Sequence, residues 1–302
     1  MKKVFLFSLL SVLFITLLWY FFIMDYDYKV TFETNHPSGV VYNTLVNWNN
    51  WEPKSKKMVS IRSKKPFLEV SHDLEVFDSI VEIDWRIQKK TDTITKVTAF
   101  FKDKENSLFQ KLRIPFFKTA FVNRSILIAK NIREGLKIHK EEYKVSSIEK
   151  TIFTKKNVLY TTVSCKLHKK AKTMMKHTSV VMEYIKNNEL LLNGDPFLEI
   201  TDWNLKEDRI TFNFCFPISK EDNFPKSDFI KFKSTNEKEA LKLVFNGNYS
   251  ISDRGWYALI DYAERNNIKV DFLPMEVFLN SPHSGGDYLE WEAEIYLPTQ
   301  KI

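Results

Sequence analysis

The sequence predicts an α+β protein tethered by an N-terminal transmembrane helix, and three observations carry that expectation. Val4 to Met24 runs without a charge, a hydrophobic period of two gives way to one of three or four between Tyr28 and Tyr143, and a β-α-β-β pattern occurs twice in the C-terminal half.

The composition sets outer bounds. Of 302 residues, 44% are hydrophobic, 15% aromatic, 27% charged and only 7 are glycine, so the chain is neither disordered nor collagen-like nor a glycine-rich repeat. At roughly 150 residues per domain, about two domains are expected. Cys165 and Cys215 are too few for a disulfide scaffold and are not spaced as a zinc site or redox pair. They are open to pairing in an oxidising compartment or to remaining buried thiols.

Val4–Met24 is long enough to cross a bilayer, for which ~20 helical residues suffice. A cleaved signal peptide has a shorter apolar stretch and a small-x-small site. This run ends instead in Trp19, Tyr20, Phe21 and Phe22, rings suited to a membrane interface, so it is expected to be retained. Lys2 and Lys3 precede it and Asp25 and Asp27 follow, which places the N-terminus in the cytoplasm and the rest beyond the membrane in a single pass.

The net charge of +7 is spread over the chain, with clusters at Lys54, Lys56, Lys57, Arg62, Lys64, Lys65 and at Lys166, Lys169, Lys170, Lys172, Lys176. Contact with anionic headgroups is one reading of them and a solvated face the favoured one. No ring or glycine is interleaved to stack bases or cradle phosphate, so nucleic acid is not an expected partner.

After the anchor, Tyr28–Thr34 alternates as a strand and His36-Pro37-Ser38 opens a short helix through Val46. Ser79–Ile87 and Thr93–Phe101 read as an antiparallel hairpin, and a third strand is expected around Leu108–Ile114. From Lys118 to about Tyr143, Val122, Ile126, Ala129, Ile132 and Leu136 recur at helical spacing, giving one long amphipathic helix. This order, with Trp48, Trp51 and Pro53 as a Trp-x-x-Trp-x-Pro-like element, resembles the START-like (SRPBCC, polyketide-cyclase-like) superfamily. The resemblance implies a helix-grip cup over residues 29–145, after an anchor with short flanks at 1–28.

Beyond Lys144–Ser147, residues 146–302 read as a second domain with an internal repeat. One half is strand Val158–Cys165, helix Lys169–Asn187, strand Pro196–Trp203 and strand Arg209–Ile218. The other is strand Ala240–Asn246, helix Ser252–Asn266, strand Asp271–Leu279 and strand Trp291–Leu297. Ala171, Met174, Thr178, Val181 and Ile185 stripe the first helix and Trp256, Leu259, Ile260 and Ala263 the second, so both helices are expected on one sheet.

Five short motifs occur in order here: Gly194-Asp195-Pro196-Phe197, Cys215-Phe216-Pro217-Ile218, Gly247-Asn248-Tyr249, Met275 through Pro282, and Ala293 through Pro298. With them the region resembles the GyrI-like family, the small-molecule-binding module found as the effector domain of AraC- and MerR-type regulators. Phe278, Ser281 and Ala293 depart from that family's Tyr, Asp and Thr. The resemblance implies a pocket with a carboxylate at Glu276 and, around it, the rings Tyr249, Trp256, Tyr257, Phe278 and Tyr296. A poorly hydrated carboxylate there gains by pairing with a ligand cation, and ring faces favour the same charge. Glu294, Trp291, Phe197 and Trp203 are expected to pack the fold, as are Met174, Met175 and Met182, which alternatively line an adaptable cleft.

His36, His72, His139, His168, His177 and His283 form no His-Glu-x-x-His, and no Gly-x-Ser-x-Gly elbow occurs. No catalytic residue, metal or cofactor is expected. The function expected is binding of a hydrophobic or cationic small molecule by a membrane-anchored bacterial envelope protein. No helix-turn-helix pattern precedes the module. The alternatives are a hydrolase of strained or ester-type xenobiotics in which Glu276 activates water, and a structural envelope platform for a protein partner.

Overall fold

The computed structural model describes residues 2–48, 59–76, 79–91, 93–219, 227–280 and 285–300. Trp51, Pro53, Lys54, Lys56, Lys57, Ser281, Pro282 and His283 lie outside them. The chain forms a mixed α+β structure of antiparallel sheets, divided into two compact units, residues 1–90 with 94–137 and residues 91–93 with 138–302.

The first unit starts with helix α1 (Lys2–Leu18), which runs on through a π-helical turn at Trp19–Ile23. Phe5–Ile23 has a mean hydropathy of 2.4 and none of it is buried in the protein. Its length, about 28 Å at 1.5 Å per residue, matches the ~30 Å hydrocarbon thickness of a bilayer. Strand β1 (Tyr28–Thr34), helix α2 (Ser38–Val46) and strands β2 (Val59–Lys65), β3 (Glu69–Val76), β4 (Ser79–Lys89) and β5 (Thr95–Asp103) follow. They make an antiparallel sheet of order β1-β5-β4-β3-β2. Its inner face carries Val70, Leu74, Ile83, Trp85, Val97, Ala99 and Phe101, all at 0% exposure, so side chains fill this interior. Trp48 stands edge-on to His72 and Trp85, with ring centroids at 5.2 and 6.0 Å.

Leu108–Ile114 is not a strand. Helix α3 (Ser107–Arg113) occupies it. Leu108 and Leu112 fit a period of two and an i, i+4 helical pair equally well, and local bonds decide: Asp103 accepts from the Asn106 N–H at 3.0 Å and from the Gln110 amide at 3.1 Å, winding the chain as it leaves β5. Helix α4 (Ala120–Lys140) then buries Phe121, Val122, Ile128, Ala129, Ile132 and Leu136. The sequence signals of β2 and β3 are weak, because β2 is an exposed edge strand with no apolar alternation and in β3 the polar His72 interrupts the buried row Val70, Leu74 and Val76. Within the first basic cluster Arg62 is not a free charge. It bonds Asp73 at 2.7 Å and Asp84 at 2.6 Å and lies 3.4 Å from Glu82.

His72 is fully buried and its Nε2 meets the Leu45 carbonyl at 3.1 Å, while Nδ1 has no hydrogen-bond partner among the described residues. Burial pushes its pKa down to about 4. Above pH ~6.5 the imidazole is neutral in both the folded and unfolded chain. Below that the unfolded chain takes up a proton that the folded unit refuses until about pH 4, costing about 3 kcal/mol of stability across the window. Unfolding measured against pH is expected to show this loss in the parent and a flatter profile in His72→Gln; identical profiles would assign the acid sensitivity elsewhere.

The second unit contains β6 (Tyr143–Val145), β7 (Glu149–Phe153), β8 (Asn157–Lys166), α5 (Lys170–Asn187), β9 (Phe197–Asn204), β10 (Arg209–Pro217), β11 (Lys231–Ser234), β12 (Lys238–Gly247), α6 (Asp253–Arg265), β13 (Met275–Phe278) and β14 (Glu292–Pro298). The sheet order is β11-β8-β10-β9-β13-β14-β12-β6, with β7 also on β12. The duplication is visible in that order: β8-β10-β9 meets its reverse, β13-β14-β12, at the antiparallel seam where Glu276 pairs with Leu198. Each repeat contributes its first, third and second strand, which places the two repeats about a pseudo-twofold axis.

One face of this sheet carries both helices over Phe212, Phe214, Phe216, Leu243, Phe245, Phe278 and Ile295; Met275, Val277, Phe197 and Cys215 belong to a separate cluster with Phe153 and Tyr296. Alternation along β13 therefore sends Glu276 and Phe278 one way and Met275 and Val277 the other. Cys165 lies opposite Ile210 and Cys215 opposite Tyr160, apart along the β8–β10 pair and in different clusters, so both are buried free thiols in this fold.

Candidate functional site

The helical face at the repeat junction holds two adjoining features, a buried polar cluster and an open cavity. The cluster forms where β13, the start of α5 and the entry to α6 converge. Gly247 ends β12 at φ +155°, where a Cβ would stand 2.9 Å from the Phe245 ring, so a side chain is excluded on both counts. Asn248 then accepts from the Ser250 N–H at 2.9 Å, forming the tight turn Tyr249–Ile251 that delivers Ser252 to the head of α6.

Glu276 is entirely buried, and so is Lys170, whose Nζ donates to Glu276 Oε1 at 2.7 Å and to Ser252 Oγ at 2.6 Å. The Ser252 hydroxyl faces both carboxylate oxygens at 2.9 and 3.0 Å. Lys170 Nζ also lies 4.6 Å over the Trp256 ring. Burial raises the Glu276 pKa above the usual carboxylate range, opposed by Lys170 and by the Ser252 hydrogen bond. The carboxylate expected to meet a ligand cation is thus already held by Lys170 of the protein itself.

The cavity, about 550 Å³, is lined from α5 by Ala171, Met174, Met175 and Thr178, and across from them by Phe214, Phe216, Tyr249, Phe278 and Trp291, with Asp195, Pro196, Asn248, Leu279 and Asn280 completing it. Four of the five motifs contribute to this lining, although they are scattered from Gly194 to Pro282. The Tyr249 ring packs tilted against Phe278, at 4.9 Å and 54°, and against Trp291, at 5.6 Å and 51°. The Tyr249 hydroxyl donates to the Glu292 carbonyl at 2.7 Å and accepts from the Asn280 N–H at 3.3 Å, which fixes its ring as a wall. Burial pushes its pKa up to about 12, so it remains a neutral phenol.

Of the residues assigned to a site from sequence, Tyr249 and Phe278 line the cavity. Glu276 lies on the same face but within the ion pair, not among the lining residues. Trp256 and Tyr257 are buried in α6 with Trp203, at ring distances of 5.3 and 5.9 Å. Tyr296 packs with Phe153 at 5.2 Å, and its hydroxyl donates to Glu294 at 2.6 Å. Trp291, Met174 and Met175, read first as packing residues, line the cavity. Lys170 and Asp195 were passed over as site residues. Lys170 was legible in principle, since it stands one turn before Met174 on the same helical stripe.

Asp195 is exposed and is the one charged residue among those lining the cavity. Aromatic walls, two flexible thioethers and a single carboxylate suit a lipophilic guest and tolerate or favour one positive charge on it.

No protein-family model matches the chain. It is 51% identical over 41 residues to a phospho-N-acetylmuramoyl-pentapeptide-transferase of Chlamydia felis, a match covering 14% of this chain and 12% of that protein. Among solved structures, the C-terminal domain of EcmrR aligns with 53% of this chain and 99% of its own length, at 20% identity and a TM-score of 0.44. The di-domain ARO/CYC protein StfQ of the steffimycin biosynthetic pathway aligns with 91% of this chain and 85% of its own length, at 8% identity and a TM-score of 0.26.

Proposed function

We propose that this chain is a membrane-anchored binding protein whose second unit takes up a small lipophilic molecule, neutral or singly positive, in the cavity between α5 and the repeat junction. The observation that carries the reading is the lining itself: rings from β10, the turn at Tyr249, β13 and Trp291 face two methionines of α5, with Asp195 as the lone charge. Its volume of about 550 Å³ falls within the ~300–1,000 Å³ range of small-molecule sites. A carboxylate on an otherwise uncharged lining, in a protein of net charge +7, selects for cations locally where the chain as a whole repels them.

Membrane attachment through Phe5–Ile23 is supported by the length and hydropathy of that segment and by the absence of any buried residue in it. Lys2 and Lys3 on one flank and Asp25 and Asp27 on the other support a cytoplasmic N-terminus, with both units on the far side. Binding is favoured over hydrolysis because Glu276 has no exposed surface and its oxygens are engaged by Lys170 and Ser252, so it is not placed to activate a water in the cavity.

The test is a titration of the full chain in lipid nanodiscs with tetraphenylphosphonium and with neutral triphenylphosphine oxide, empty nanodiscs serving as the partitioning blank. Saturable binding of both is expected. Asp195→Asn is expected to weaken the phosphonium alone, by about three- to fivefold, since an exposed ion pair contributes up to ~1 kcal/mol. Binding indistinguishable from empty nanodiscs would reject the proposal.

A further inference from the structure

The first unit carries an apolar surface that no described residue covers. Leu108, Phe109 and Leu112 on α3 are 57, 54 and 59% exposed, and Phe116 and Phe117 just after it 78 and 62%. Singly exposed apolar residues are ordinary, but five large ones within one short stretch form a patch of the kind that marks a contact surface.

Its position identifies what it contacts. The Tyr20 hydroxyl, near the end of the apolar helix, donates to the Lys111 carbonyl at 3.0 Å. The Lys111 ammonium, 4% exposed, reaches back to the carbonyls of Met24 at 2.5 Å and Phe21 at 3.4 Å, capping the last turn of that helix. Asp27, just beyond, accepts from Ser107 Oγ at 2.5 Å and from the Asp103 N–H at 2.8 Å. Helix α3 is therefore bonded at both ends to the point where the apolar segment emerges, at the depth where rings such as Trp19 and Tyr20 meet a membrane interface. The chemistry of the stretch agrees: Ser107–Lys118 contains Lys111, Arg113 and Lys118 and no acidic residue. The Arg113 guanidinium lies 5.0 Å from the Phe109 ring centre and 6.0 Å from that of Phe117, an arrangement that leaves the rings free to enter an apolar phase beside a charge suited to headgroup level.

We propose that Leu108–Phe117 is a second membrane contact, an interfacial wedge that inserts among lipid acyl chains beside the exit of the transmembrane helix and holds the first unit against the bilayer. The proposal rests on the reading of Phe5–Ile23 as a membrane anchor. Together with the helix, this second point of attachment fixes the tilt of the unit at the surface.

The experiment places an environment-sensitive fluorophore at Phe116→Cys or, separately, at Phe14→Cys in the full chain. The chain is reconstituted in phosphatidylcholine–phosphatidylglycerol vesicles without spin label or with phosphatidylcholine spin-labelled either near its headgroup or near its acyl terminus. Labelling is done under native conditions, where Cys165 and Cys215 are buried, with the unsubstituted chain as blank. The expected result is loss of fluorescence at Phe116 with the headgroup-proximal spin label, and loss at Phe14 with a spin label near the acyl terminus. Loss at Phe14 but none at Phe116 overturns the wedge and leaves the anchor standing, whether the Phe116 probe emits as if in water or, being covered by a second chain, as if in an apolar site. No loss at either position overturns the anchor and the wedge together. Phe117→Ser added to the Phe116 probe is expected to reduce the loss there while leaving the Phe14 signal unchanged.

Discussion

Lys170→Ala is expected to cost the second unit about 3–5 kcal/mol, the largest effect of any single substitution considered, because it leaves the Glu276 carboxylate uncompensated at 0% exposure. Against a total stability of ~5–15 kcal/mol for a typical domain, that leaves the unit marginal. Ser252 alone cannot hold the charge. It supplies one hydroxyl proton, shared between two carboxylate oxygens and the Tyr249 carbonyl at 3.0 Å. The carboxyl is expected to take up a proton instead, in the direction that burial already drives it. The double variant Lys170→Met with Glu276→Met removes both charges at similar volume and is expected to recover most of the loss, since a buried ion pair is often replaceable by apolar side chains. Denaturant unfolding followed by tryptophan fluorescence checks both. A single variant as stable as the parent, or a double variant no better than the single, would show that Glu276 does not depend on Lys170 for its charge balance.

Thr178→Trp is expected to abolish or strongly weaken binding, by tenfold or more (at least ~1.4 kcal/mol), while leaving the fold intact. Thr178 sits on the cavity wall one turn beyond Met174, half-buried, with its hydroxyl merely bonded back to the Met174 carbonyl at 3.0 Å. Tryptophan has a helix propensity close to that of threonine, and its indole has open volume to enter. Phosphonium titration against the parent, with circular dichroism as the control for folding, reads the effect. Undiminished affinity would place the ligand elsewhere.

These residues show how far the sequence carried and where it stopped. The β-α-β-β repeat was legible because each strand alternates and each helix keeps an apolar stripe, periodicities that survive without tertiary information. Exposed edge strand β2 and short helix α3 were not, since β2 lacks a buried face and α3 spans only two turns, over which both periods fit the same leucines. Glu276 was singled out by its motif, but its partner was hidden in a run of lysines. Charge patterning treats Lys166, Lys169, Lys170, Lys172 and Lys176 alike, whereas the helix turns Lys170 alone onto the core side of the run's helical part and buries it. The cavity depends on contacts between residues far apart in sequence, such as Asp195, Tyr249 and Trp291, and no local pattern brings those together.

The most direct test of ligand uptake by the second unit is photoaffinity labelling of the full chain in nanodiscs with a diazirine-bearing triphenylphosphonium, followed by peptide mapping. Modification is predicted on Met174, Met175, Tyr249 and Trp291, and excess tetraphenylphosphonium should suppress it. Label confined to the apolar helix Phe5–Ile23, or not displaced by competitor, would contradict the account.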